Sequence, residues 1–185
     1  MMTVTALQHL IQTDLIRMRM LAQVRALALP DCWIGAGFVR NAVWDSLHHR
    51  SPSAPSGDVD VIWHNPGHGG EAIDRALEAS LRGADSAVDW SVKNQARMHQ
   101  ANRDPAYASA IDAMRYWPET ATAVAVRLGV GDIVEVAAPY GLHDLFDGVL
   151  RPTPAFTGAR RAIFDARCQG KQWLLKWPRL RLELI

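Results

Sequence analysis

The chain has 185 residues, 49% of them hydrophobic and 21% charged, with a formal charge of +1. This is the composition of one ordinary globular domain, and the near-neutral balance argues against a broadly basic nucleic-acid binder, though a local patch stays open. No run approaches the roughly 20 apolar residues of a membrane span, the first residues lack the order of a secretory leader, and Cys32 and Cys168 stand far apart in no metal-ligand spacing. The expectation is a cytoplasmic single domain over residues 1–185, with a core over about 30–150 and a C-terminal helix over about 159–177.

In chain order, apolar residues Leu7, Leu10, Ile11, Leu15, Met18, Leu21 and Ala22 recur at spacings of three and four and predict a helix over 5–28. Thr3 or Thr5 could cap it and Pro30 stops it, while Arg17 and Arg25 fall on its polar side. Residues 31–35 read as a buried strand and 38–49 as a helix. The run Ser51-Pro52-Ser53-Ala54-Pro55-Ser56-Gly57 is a loop, a rim beside whatever its neighbours build. A strand is expected over 58–63, a helix over 71–82 on the stripe Ile73, Leu77 and Leu81, and a strand over 87–92. Helices over 93–102 and 105–115 follow, then strands over 120–128 and 132–137 joined by Gly129-Val130-Gly131 as a hairpin. A short helix over 141–146, the helix over 159–177 and an apolar tail over 180–185 complete the chain. Interleaved strands and helices place it in the α/β or α+β class with a mixed sheet flanked by helices.

The stretch that carries chemistry joins Trp33-Ile34-Gly35-Ala36-Gly37-Phe38-Val39-Arg40-Asn41 to Asp58-Val59-Asp60. Glycines at a strand-to-helix turn let backbone approach a phosphate, and the opening helix offers unpaired N–H groups to an anion. Alternate residues of a strand project to one face about 6.6 Å apart, so Asp58 and Asp60 can lean toward one divalent cation, with Asp89 from a further strand as a third oxygen ligand. A dinucleotide fingerprint fails at Arg40, which stands where a small third residue is needed. An aspartate-pair phosphatase leaves the glycine turn unexplained. His48, His49, His64 and His68 lack the partners and spacing of a zinc site, and Trp44, Trp63 and Trp90 are expected to pack in the core.

Ala36-Gly37-Phe38-Val39-Arg40-Asn41 resembles the glycine turn of the polymerase-β nucleotidyltransferase superfamily, Asp58-Val59-Asp60 its paired carboxylates, and Asp89 its third acid. The pattern is closer still to small bacterial nucleotidyltransferase-like proteins, through Trp90-Ser91-Val92-Lys93-Asn94-Gln95, Trp117-Pro118-Glu119-Thr120 and Ala138-Pro139-Tyr140-Gly141-Leu142 with Asp144-Leu145-Phe146. The resemblance implies a nucleotidyltransferase fold in which Asp58, Asp60 and Asp89 bind Mg²⁺ (two ions, or Mn²⁺) and Gly35, Gly37, Arg40 and Lys93 bind an NTP. It further implies transfer of a nucleoside monophosphate to a hydroxyl of an unidentified acceptor, with nucleic acid possible but not favoured. Ala36 and Asn41 depart from the superfamily's Gly and from the Asp of the tRNA-end-adding enzymes, which leaves open a non-catalytic nucleotide- or partner-binding module. The helical RNA domains of those enzymes are not expected within these 185 residues. The basic C-terminal third, including Arg160, Arg161, Arg167 and Lys171, reads as a solvated helix face more readily than as an acceptor site.

Overall fold

The computed structural model describes residues 4–183. Two helices stand where the periodicity predicts one: α1 (Val4–Gln12) and α2 (Leu15–Ala26) part at Asp14. Its backbone leaves the helix at φ −93° and ψ 98°, and its carboxylate accepts from the N–H groups of Ile16 and Arg17. A short acceptor side chain competes with the helical ladder in this way. The stripe runs across the break because both helices bury Leu7, Ile11, Met20 and Leu21 in the same core. Thr5 falls inside α1, and Thr3 lies outside the described residues, as do Leu184 and Ile185 of the apolar tail.

Next come β1 (Trp33–Gly35), α3 (Gly37–Leu47), β2 (Asp58–Trp63), α4 (Glu71–Ala84) and β3 (Asp89–Asn94). The last takes in Lys93 and Asn94, assigned by the pattern to a helix, because the Asn94 side chain caps α5 (Gln95–Asn102) from the strand end. Residues 105–115 yield only α6 (Ala110–Met114), capped by Ser109. Residues 120–124 form hydrogen-bonded turns rather than strand, and β4 (Ala125–Leu128) pairs with β5 (Val134–Ala137) as the expected hairpin. After α7 (His143–Phe146) and β6 (Val149–Leu150), the expected C-terminal helix divides into α8 (Arg161–Lys171) and α9 (Trp173–Lys176). Gln172, at φ 51°, turns the chain between them. β7 (Arg181–Leu182) then runs parallel to β6.

The five-stranded sheet has the order β3-β2-β1-β4-β5, with β2 and β3 parallel and the other neighbours antiparallel. The architecture is the mixed α/β one expected. Val59, Val61 and Trp63 of β2, Trp90 and Val92 of β3, and Ile34, Val126 and Val134 enter the main core with α1, α2 and α3. The opposite face is only partly covered: Trp33, Ile62, Ala125 and Ala137 pack there with Ala110 and Met114 of α6. The period of two that sends Val59 and Val61 inward sends Asp58 and Asp60 to this thinner face. Trp44, Trp63 and Trp90 are core residues, each at most 2% exposed.

Candidate active site

Backbone register assembles the site. Asp58 of β2 is the direct partner of Asp89 on β3, and Asp60 is the partner of Ser91. On the other side Trp33 opposes Ile62 and Ile34 opposes Val61, so the same register carried one residue further sets Gly35 beside Asp60. The glycine turn and the acids, separated by a loop in the sequence, thus lie on adjacent strands. Asp58 and Asp89 are exposed and Asp60 is half-buried. Among the described residues no group of three or more His, Cys, Asp or Glu side chains closes into a ready metal cage. The three aspartates share a face without converging.

The turn is built from unlike residues. A Cβ on Gly35 would lie 2.8 Å from Trp117 Cη2 and 3.3 Å from the Val124 carbonyl oxygen, so Gly35 serves the packing of Trp117. Ala36 takes φ 52° and ψ −122° and offers no side-chain cap to α3, whose first turn starts at Gly37 beside the cleft. A helix start without a side-chain cap keeps N–H donors available to an anion.

Arg40 lies behind the turn rather than on the surface. Its guanidinium is 5.0 Å from the Trp44 ring centroid and 4.5 Å from that of Trp173. It donates to Thr122 Oγ1 at 3.1 Å and to Asn41 Oδ1 at 3.1 and 3.3 Å. Burial pulls it down to about 10, opposed by the charge of Glu119 and, more weakly, by Asp60 and Asp58. Asp60, in turn, feels Asp58 and Arg40. Burial first, then the neighbouring Asp58 carboxylate, push it up to about 6, and Arg167, Arg40 and Lys171 offset part of that rise.

Asp60 and Arg167 line a cleft of about 230 Å³ together with Ala36, Ser91, Lys93 and Thr122 among others, whereas Asp58, Asp89 and Arg40 are not among its lining residues. Lys93 reaches it but gives its Nζ to Glu78 Oε1 at 2.9 Å. A larger cavity of about 550 Å³ lies between α2 and β4, lined largely by Leu21, Val24, Ile34, Val126 and Leu128, and holds none of the acids. Sequence reasoning passed over Glu119 as a charge of the site and set Arg167 on a solvated face. Their only signals were the Trp117-Pro118-Glu119-Thr120 run and the basic C-terminal third. Other parts of the resemblance prove architectural: Asp144 accepts from Thr120 Oγ1 at 2.6 Å and Arg151 Nε at 2.9 Å. Arg17, expected on a polar face, is fully buried and donates to the carbonyls of Phe38 and Ser53.

Among the described residues no helix is long and apolar enough to cross a membrane. The chain matches a protein family described as nucleotidyltransferase over residues 22–182. A solution structure described as revealing a CCA-adding enzyme head domain is 33% identical, with a TM-score of 0.88, over 100% of this chain and 98% of that one. A CCA-adding enzyme solved with CTP matches at 15% identity and a TM-score of 0.59, over 98% of this chain and 43% of that one. The Thermotoga maritima CCA-adding enzyme solved with tRNA matches at 15% identity and a TM-score of 0.54, over 90% and 38% of the two chains. The last two likenesses concern the fold alone, and this chain spans less than half of those enzymes. Comparison with curated protein sequences gives no match.

Proposed function

The chain belongs to the nucleotidyltransferase family, and on that footing we propose that it moves a nucleoside monophosphate from an NTP to a hydroxyl of an acceptor. The observation that carries this reading is the shared cleft of the α3 turn and the acid-bearing sheet face. In it, the backbone at Ala36 and Gly37 and the start of α3 receive the phosphates. Asp58, Asp60 and Asp89 would hold Mg²⁺, as two ions or with Mn²⁺ in its place. The donor set suits a hard cation: it is all oxygen, and Asp60 stands beside Asp58 at a charge density that burial disfavours. The open spacing also fits, since Mg²⁺ keeps several waters and completes its shell with substrate phosphates. When bound, the metal supplies charge neutralisation and polarisation of the transferred phosphoryl group. The chain's own residues orient it, and Arg40 balances the acids from behind. The structural relatives solved with CTP and with tRNA support an NTP as donor and keep RNA among the candidate acceptors. Two free cysteines, Cys32 and Cys168, are in keeping with a reducing cytoplasm.

The test is Mg²⁺-dependent pyrophosphate release from each of the four NTPs in the presence of cell extract. Asp58→Asn and Asp60→Asn are expected to lower it by roughly 10²-fold or more with the fold intact. A wild-type protein that binds neither NTP nor Mg²⁺ in calorimetry refutes the proposal. NTP binding without pyrophosphate release, across a broad acceptor screen, would identify a nucleotide-binding module instead.

A further inference from the structure

The cleft has a second wall, supplied by α8. Arg167 lines it, and its Nε donates to Glu119 Oε1 at 2.7 Å. Glu119 is fully buried, and its other carboxylate oxygen has no hydrogen-bond partner among the described residues. The two Nη nitrogens of Arg167 likewise make no hydrogen bond among the described residues. An arginine–carboxylate pair that serves packing alone gains most as a two-point fork. Here one hydrogen bond and the Trp173 ring, 5.6 Å from the guanidinium carbon to its centroid, fix the guanidinium and leave its outer donors without a hydrogen bond among the described residues. Lys93, the other basic side chain lining the cleft among the described residues, already gives its Nζ to Glu78. Glu119 is polar and buried in the wall, so Arg167 is held at the mouth of the cleft rather than released to solvent, with one-third of its side chain exposed.

We propose that Arg167, positioned by Glu119, binds the phosphate chain of the nucleotide from the side opposite the acidic sheet face, making α8 part of the nucleotide site. The inference rests on the proposed nucleotidyl transfer and adds to it a specific ligand for the polyphosphate. A guanidinium suits this task because its planar fork meets two phosphate oxygens at once.

Calorimetric titration with inorganic tripolyphosphate, with the best-binding NTP and with its monophosphate, in Mg²⁺ buffer, tests it on the full chain. Arg167→Ala is expected to weaken tripolyphosphate and NTP binding by about 10- to 100-fold, and the loss should shrink for the monophosphate. A merely structural pair would weaken all three ligands alike, and that outcome overturns the proposal. So does a folded Arg167→Ala protein that binds tripolyphosphate within about twofold of wild type, a limit set by the scatter expected for a removed contact. If circular dichroism shows Arg167→Ala to be unfolded, Arg167→Lys decides. Lysine keeps the charge without the fork, so polyphosphate binding should still fall by about threefold or more, and unchanged binding overturns the proposal. Wild-type NTP binding that is indifferent to both substitutions leaves the nucleotidyl-transfer reading standing. A wild-type protein that binds neither tripolyphosphate nor any NTP removes both.

Discussion

Ala36 holds a backbone conformation, φ 52° and ψ −122°, that a glycine adopts without cost and an L side chain resists. It is kept there from both sides: its N–H donates to the Val124 carbonyl at 3.0 Å and its own carbonyl accepts from Arg40 N–H at 2.9 Å. Ala36→Gly should therefore stabilise the protein by about 1 kcal/mol, read as a higher denaturant midpoint at an unchanged slope. The departure from a glycine at this position was legible in the residues; that alanine is forced into the glycine conformation was not. Asp60 carries a second residue-scale consequence. Its carboxyl, pushed up to about 6 by burial and by Asp58, holds its proton in the folded protein above the pH where an unfolded aspartate loses it. Folded protein then binds more protons than unfolded protein between about pH 4 and pH 6, so the metal-free protein loses stability as pH rises through that window. Asp60→Asn should abolish the loss, raising stability by about 2 kcal/mol at pH 7.5 and by little at pH 4, measured by chemical denaturation without divalent metal.

At the scale of the element, α4 does more than its apolar stripe announced. Leu81 is buried and Ile73 and Leu77 pack against the core as the spacing implied. On the same buried side of the helix, Asp74 accepts from Trp63 Nε1 at 2.8 Å, from the Asn94 N–H at 3.0 and 3.1 Å, and from Arg97. One turn on, Glu78 accepts from the Val92 N–H at 2.9 Å and pairs with Lys93. The two carboxylates close the outer edge of β3, the strand that carries Asp89, and so keep an edge strand from offering its N–H groups to another chain. Asp74→Ala would strand a buried tryptophan N–H, a backbone N–H and an arginine at once. A loss of about 3–5 kcal/mol is expected in urea unfolding. Glu78→Ala, beside a partly exposed lysine, should cost about 1 kcal/mol in the same measurement. Side-chain spacing cannot announce such a clamp, because the group it binds is backbone and any residue supplies it.

At the scale of the whole molecule, the C-terminal segment closes the site from the far end of the chain. Trp44 of α3 meets Trp173 at 5.6 Å and Trp177 at 5.1 Å between ring centroids, both edge-on. Trp177 Nε1 also donates to Asp45 Oδ1 at 2.8 Å, while Ser53 bonds the other oxygen of that carboxylate. Burial opposes ionisation of Asp45, but the hydrogen bonds from Ser53 and Trp177 outweigh it and hold its carboxyl below the usual range. Trp177→Ala should cost about 3–5 kcal/mol through the cavity left against Trp44. Trp177→Phe keeps most of the ring and should cost about 1–2 kcal/mol for the lost hydrogen bond, both read from thermal unfolding. The breaks at Asp14 and Gln172 and the short strands β6 and β7 were not readable from the chain alone, whereas the mixed sheet, the sheet face of the acids and the order of the main elements were. The reason is that a period of two or of 3.6 is a local property, and an alternating strand assigns each residue its side whatever lies beyond. Three features were decided only in three dimensions: that Gly35 lies beside Asp60, that Asp58 faces Asp89, and that Arg167 and Glu119 form the opposite wall. They depend on strand order, register and the docking of α8, which are set by which surfaces bury one another and leave no periodic trace in the sequence.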